Sequence, residues 1–214
     1  MATKTILLGL LLIATATGFS QSQPALKKVT KTHFGIKGGL NFSNVNDAIN
    51  FASYKSKEGF MLGGFMGAGS SKSGMGFRTE LIFTHQYLSV QNGSSKPSTI
   101  NSDYISIPHL TTFSIAKVVQ LQAGGQMSIL INAKQNEGSV GQSIADFYNK
   151  VKYGITGGVE VHPFKGLIIG GRYSVDVTNA CKTSNASAMM PYPFNLSTAN
   201  LKGGLFQFSV GYIF

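Results

Sequence analysis

From Phe34 onward the chain obeys one rule: along each of eight segments, every second residue is uncharged. In Phe34-Gly35-Ile36-Lys37-Gly38-Gly39-Leu40-Asn41-Phe42 the apolar side chains take even positions, while Lys37 and Asn41 take odd ones. That two-residue period belongs to a strand with unlike faces. It recurs at about 59–69, 75–90, 103–115, 119–132, 151–162, 167–178 and 203–214. Steps of two from Phe34 to Phe42, Phe60 to Ala68, Phe77 to Tyr87, Ile105 to Ile115, Val119 to Ile131, Val151 to Val161, Leu167 to Val177 and Gly204 to Phe214 meet no Asp, Glu, Lys or Arg. The opposite parity holds Lys37, Arg78, Glu80, Lys152, Glu160, Arg172 and Asp176, together with Gln120, Gln122, Gln126 and Gln207.

A secreted sandwich or a lipocalin-like barrel also alternates, with its polar face in water. What distinguishes this chain is a charge-free parity that is broad, aromatic and glycine-tolerant on every strand. In lipid every backbone group must be paired within a closed barrel, and each strand then turns its apolar parity outward. All eight segments reach the roughly 9–11 residues that a tilted strand needs to cross a bilayer. The expected fold is all-β, an eight-stranded antiparallel up-and-down transmembrane β-barrel. The second segment fits least well, because Met61 and Phe65 make both its parities apolar.

Composition narrows the alternatives. Only 12% of the 214 residues are charged and 26 are glycine, against a charged fraction of about 25% in soluble domains. Beyond the N-terminus no apolar run reaches about 18 residues, which excludes a helical membrane protein. A single cysteine, Cys181, excludes a disulfide framework and a cysteine-based zinc site.

The N-terminus reads as a targeting segment. Lys4 precedes an apolar stretch from Ile6 to Ala16, and Gly18-Phe19-Ser20 supplies small residues for cleavage near Ser20. A membrane anchor helix is the other reading, but the stretch is short and Gln21-Ser22-Gln23 follows at once. The expected organisation is a signal peptide at 1–20, a periplasmic segment at 21–32 and a barrel domain at 33–214.

The connections at Ser70–Gly74, Ala116–Val118 and Pro163–Gly166 are short, while those at 46–58, 91–102, 133–150 and 179–202 are long. Outer-membrane barrels have short periplasmic turns and longer extracellular loops, which would place both termini in the periplasm. The last strand carries Phe206, Phe208, Val210, Tyr212 and Phe214, an alternating series ending on an aromatic, and it looks like the signal read by the barrel-assembly machinery.

Short motifs run in order along the strands: Gly38-Gly39-Leu40-Asn41-Phe42-Ser43, Glu80-Leu81, Ile107-Pro108, and Arg172-Tyr173-Ser174 with Thr178-Asn179. Together they resemble the PorT-like outer-membrane β-barrel family from about His33 to Phe214. Two departures stand out: Asp176 lies where that family more often has glycine, and Ser106 and His109 replace more often acidic and apolar residues. The resemblance implies an eight-stranded outer-membrane barrel and no particular activity, cofactor or secretion role.

Eight strands enclose a space that side chains can fill, and charges buried there must be paired. Arg172 with Glu80 and Glu160 is the expected centre of an ion network that fixes register and blocks the lumen, with Lys37, Arg78, Lys152 and Asp176 around it. The alternatives are an acid/base site or an ion-conducting path. Among the histidines, His85 and His109 fall on the lipid-facing parity, and the sequence places them at similar heights near the extracellular end. That is where a lipid-modifying site could lie, but no serine stands beside them and metal binding would lack a third ligand. Interfacial histidines at headgroup level are the simpler reading, and the chain is expected to be a non-enzyme with no cofactor.

Most of the formal charge of +10 lies on Lys27, Lys28 and Lys31 and on the short-turn residues Lys72, Lys117 and Lys165. A basic rim can meet acidic lipid headgroups, cell-wall polymer or an acidic partner. Nucleic acid is not expected, because aromatics are not interleaved with the basic cluster. The partners expected instead are outer-membrane lipid, the assembly machinery and an envelope protein docking on loop 179–202, which carries Cys181, Met189-Met190 and Pro191-Tyr192-Pro193-Phe194. An ordered cap over the barrel mouth is the other use of that loop, and a narrow solute pore is the other use of the fold.

Overall fold

The computed structural model describes residues 31–46, 53–69, 74–91, 98–116, 118–137, 140–179 and 202–214. The strands are β1 (Lys31–Asn46), β2 (Ser53–Gly69), β3 (Met75–Gln91), β4 (Ser98–Ser114), β5 (Val119–Glu137), β6 (Val140–Ser143), β7 (Val151–Val161), β8 (Leu167–Asp176) and β9 (Lys202–Ile213). Pairing is antiparallel throughout, in the order β4-β3-β2-β1-β9-β8-β7-β5, and a β4–β5 ladder joins the two ends. Eight strands therefore close on themselves and leave no edge open to lipid. The ninth, β6, is a short strand folded onto the far end of β5.

Side chains sort as the alternation predicts. Phe34, Ile36, Leu40, Phe60, Leu62, Phe77, Leu81, Ile155, Phe206, Phe208 and Val210 are exposed on the outer wall, whereas Lys37, Arg78, Glu80, Lys152, Glu160 and Arg172 are buried. Met61 and Phe65, which blur the second segment, both point inward and are buried. The Phe65 ring lies 4.6 Å from the Arg78 guanidinium and 5.9 Å from Lys37 Nζ. It gives two desolvated cations a π-face, so the strand is apolar on both sides because its inner side serves the charge cluster.

Strand lengths differ from the sequence reading at one end of the barrel. β2 starts at Ser53 rather than about 59, β4 at Ser98 rather than about 103, and β5 runs to Glu137 rather than about 132. The expected loop 133–150 contains the end of β5, then β6 and a 3₁₀ turn at Ala145–Phe147. In these extensions polar residues fall on both parities of the sequence, so alternation fades while the ladder continues through pairs such as Ser53–Gln91 and Thr99–Asn136. At the other end β1 begins at Lys31, two residues before the expected barrel start. The expected signal peptide, and all but the ends of the 179–202 connection, lie outside the described residues.

Two bulges shape the wall. In β2 the register with β3 shifts between Lys57 and Phe60. The Asn41 amide donates to the carbonyls of Phe60 at 2.8 Å and His85 at 3.2 Å, satisfying acceptors beside the irregularity. In β5 the register with β4 shifts where Asp103 faces Asn132 and Tyr104 faces Leu130. This reverses the parity above it and turns Ala133 inward. Ile100, Tyr104, Leu130, Ala133 and Ile144 consequently form an apolar cluster, with Leu88, Ala145 and Tyr148 packed against it. The cluster lines the inner wall at the end away from the short turns.

Close curvature also demands glycine. A Cβ on Gly39 would stand 1.9 Å from the Phe208 carbonyl oxygen of β9. Gly166, in the β7–β8 turn, has a φ of 86°, in the left-handed region that glycine tolerates. Substituting Gly39→Ala forces the β1–β9 seam apart and should destabilise the barrel by about 1–3 kcal/mol, the usual cost of overpacking. The check is a lower midpoint for loss of the compact gel band as the folded protein is heated; an unchanged midpoint would contradict the tight seam.

Candidate functional site

The lumen is a stack of layers. Its middle is an ion cluster formed by side chains from five strands. Glu80 of β3 is held by Arg172 of β8 in a fork, with Nη1 donating to Oε2 at 2.7 Å and Nη2 to Oε1 at 2.9 Å. Lys37 of β1 donates to the same Oε1 at 2.7 Å. Arg172 Nη2 also donates to Gln122 Oε1 of β5 at 2.8 Å. Glu160 of β7 accepts from Arg78 Nη1 at 2.6 Å, and Arg78 Nη2 donates to Gln120 Oε1 at 3.1 Å. Lys37 Nζ, 3.9 Å from Glu160 Oε1, links the two halves.

Sequence reasoning grouped Arg172 with both Glu80 and Glu160. The structure gives Glu160 to Arg78 instead, and Arg172 uses both guanidinium nitrogens on Glu80. Bidentate Arg–carboxylate geometry favours this one-to-one matching. Lys152 and Asp176 form a separate pair nearer the loop end, with Nζ to Oδ2 at 2.8 Å, and Lys152 also lies 4.2 Å from the Tyr104 ring centre. Between these clusters sits a neutral polar layer: Ser174 donates to Thr156 Oγ1 at 2.8 Å, and Ser106 and Ser128 are bonded at 2.9 Å. The roles of Gln120, Gln122 and the serine–threonine layer could be read only as inward parity, since glutamine and serine also populate wet faces.

Such a cluster is chemically suited to holding strands together. In a desolvated setting each carboxylate is matched by guanidinium or ammonium donors, and breaking one pair leaves a stranded charge. Neither carboxylate of the central cluster is left as an unpaired base.

His85 and His109 are not at similar heights. Antiparallel register sets His85 opposite Asp103 and His109 opposite Thr79, so they are six rungs apart on the outer wall. His109 Nδ1 meets Thr79 Oγ1 at 3.0 Å. His85 Nδ1 meets Asp103 Oδ1, and Asp103 Oδ2 accepts from Asn132 at 3.2 Å. The His85 ring is stacked on Phe60 and meets the edge of Tyr87. Sequence reasoning did not select Asp103 or Asn132, because the pairing that joins them is set by the β5 bulge. Among the described residues no group of three or more His, Cys, Asp or Glu is placed to hold a metal.

A closed eight-stranded wall, apolar outside and ionic inside, defines a small outer-membrane barrel protein. The chain belongs to the outer membrane protein beta-barrel domain family, which matches residues 19–180. Its place is therefore the outer membrane of a Gram-negative bacterium. Neisserial surface protein A has a similar fold, with a TM-score of 0.55 over 85% of this chain and 97% of that one at 13% identity. Ail of Yersinia pestis aligns with a TM-score of 0.49 at 17% identity, covering 86% of this chain and 99% of that one. OprG from Pseudomonas aeruginosa aligns with a TM-score of 0.46 at 9% identity, covering 86% and 97%. No curated protein matches the chain by sequence.

Replacing Arg172 with leucine removes the fork from Glu80, leaves its Oε2 without a cationic donor and should lower stability by about 3 kcal/mol, the low end for a broken buried pair because Lys37 still holds Oε1. The double variant Arg172→Leu, Glu80→Met should recover part of that loss. Equilibrium unfolding in urea with the protein in lipid vesicles measures both; equal loss in single and double variants would separate Arg172 from Glu80.

Proposed function

We propose that this protein is a non-enzymatic envelope component, structural, binding or assembly-related, that acts through the segments joining strands at the end opposite its termini. On this reading those segments face the outside and both termini face the periplasm. The lumen ion network of Lys37, Arg78, Glu80, Lys152, Glu160, Arg172 and Asp176 is structural. The outward series Phe206, Phe208, Val210, Tyr212 and Phe214 is the assembly signal. The PorT-like resemblance is the finer family assignment that goes with this reading, and it rests on the order of the motifs Gly38-Gly39-Leu40-Asn41-Phe42-Ser43, Glu80-Leu81, Ile107-Pro108, and Arg172-Tyr173-Ser174 with Thr178-Asn179.

The observation that carries the proposal is the filled lumen. The central ion cluster spans the interior, and the apolar cluster around Tyr104 and Ile144 lies above it. Buried, paired side chains favour a plug over a conduit, so a protein partner would be met by the loops and not through the lumen. Segment 179–202 is the longest connection and supplies the distinctive Pro191-Tyr192-Pro193-Phe194 run, a chemistry suited to docking an envelope protein. The basic residues at the other end suit acidic headgroups of the surrounding lipid.

Two measurements test this. Purified protein in planar bilayers should show no steady conductance; regular single-channel steps from the wild type would favour the narrow solute pore instead. Affinity capture from the native membrane should recover a defined envelope protein with the full chain and lose it when 179–202 is shortened. The same proteins recovered from both would reject docking on that segment.

A further inference from the structure

At the end of the barrel that bears the short turns, the lumen opens into a cup of about 310 Å³, at the small end of the range for ligand pockets. Its polar lining comes from five places in the chain: His33 of β1, Arg78 of β3, Thr112 and Ser114 of β4, Gln120 of β5, and His162 just after β7. No carboxylate lines it among the described residues. Arg78 is 3% exposed, and its Nε has no hydrogen-bond partner. His162 Nε2 is likewise buried and unpartnered, 3.8 Å from Glu160 Oε2. The cluster behind the cup holds three cations, Lys37, Arg78 and Arg172, against two carboxylates, Glu80 and Glu160, so the lumen here has one positive charge in excess.

The wall is cut back to make this space. A Cβ on Gly76 would come within 2.8 Å of Thr112 Oγ1, and one on Gly67 within 2.4 Å of the His33 imidazole. Glycine at these two positions leaves room for the hydroxyl and the ring that line the cup.

From this arrangement we propose that the cup is a binding site for a small oxyanion, a phosphate or carboxylate group entering from the short-turn end. The cationic excess attracts the anion, Arg78 and the His162 imidazole supply charged or N–H donors, and Thr112, Ser114 and Gln120 supply neutral ones. The site does not depend on which face of the membrane this end meets, nor on the docking role of 179–202. Burial holds the His162 imidazole below its usual pKa, Arg78 pushes it further the same way, and Glu160 opposes them. His162 is therefore neutral near neutral pH, and an anion beside it favours its protonated form. Binding takes up a proton and tightens as the pH falls.

The test uses the folded full chain in detergent micelles with inorganic phosphate as the probe, followed by phosphorus NMR line broadening and calorimetry. Matched sodium chloride is the ionic-strength control. Succinate in place of phosphate tells whether the group recognised is phosphate or any small oxyanion. Saturable binding is expected; because phosphate itself gains a proton between about pH 8 and about pH 6, the contribution of His162 is read as the affinity of the wild type relative to His162→Gln, which should rise as the pH falls. Ser114→Asp places a carboxylate in the cup without touching the ion network and should weaken binding at least about tenfold, whereas Ser114→Asn should not. His162→Gln should leave only the pH dependence that phosphate's own titration imposes. Should chloride compete as well as phosphate, or Ser114→Asp bind like the wild type, the proposal is overturned. A folded gel band for each variant distinguishes loss of the site from loss of the barrel.

Discussion

A carboxylate inside an eight-stranded barrel has nowhere to go for water, and the structure is organised around that fact. Glu80 is buried, and three donors from two other strands meet its two oxygens. Because Arg172 reaches it from β8 and Lys37 from β1, the anion links strands that lie on different sides of the lumen. Glu160 does the same between β7 and β3 through Arg78. A slip of one residue in any of these strands would point a charge into lipid. Charge thus specifies register here as the hydrophobic core does in a soluble domain, while the apolar surface faces outward.

The parts of the fold that were legible in the sequence are those where the two faces of a strand meet different solvents. The absence of charge on one parity fixed strand number, inward residues and closure. That same signal ends where the lipid ends. Above it the ladder continues through Ser53–Lys57, Ser98–Ser102 and Lys134–Glu137, where polar residues fall on both parities of the sequence and Ile100 is the one aliphatic residue, so periodicity carries little information and the sequence reading shortened the strands. The bulges escaped for a related reason. The reversal that turns Ala133 inward depends on how β4 and β5 pair, a non-local property, and with it went the apolar cluster and the Asp103–Asn132 contact.

Within the lumen, the list of charged residues was readable and their partners were not. Parity says that Arg78, Glu80, Glu160 and Arg172 point inward; only strand tilt and stagger decide which carboxylate each guanidinium reaches. The short motifs acquire physical meaning from the same geometry. Asn41 satisfies carbonyls beside the β2 bulge, Gly39 admits the β9 backbone, and Glu80 with Arg172 forms the fork.

The seam between β1 and β9 has a kinetic implication. It pairs Gly35 with Ile213 and Asn46 with Lys202, so the ladder that closes the barrel joins residues from opposite ends of the barrel sequence. Contacts of such sequence separation are slow to form, since a large loop must be closed before they repay the ordering. Until they form, β1 and β9 each present a row of unpaired N–H and C=O groups, which hydrocarbon does not accept. No partial length of this chain is therefore a stable resident of the bilayer. Insertion and ring closure are bound to behave as a single event, governed by the arrival of the last strand.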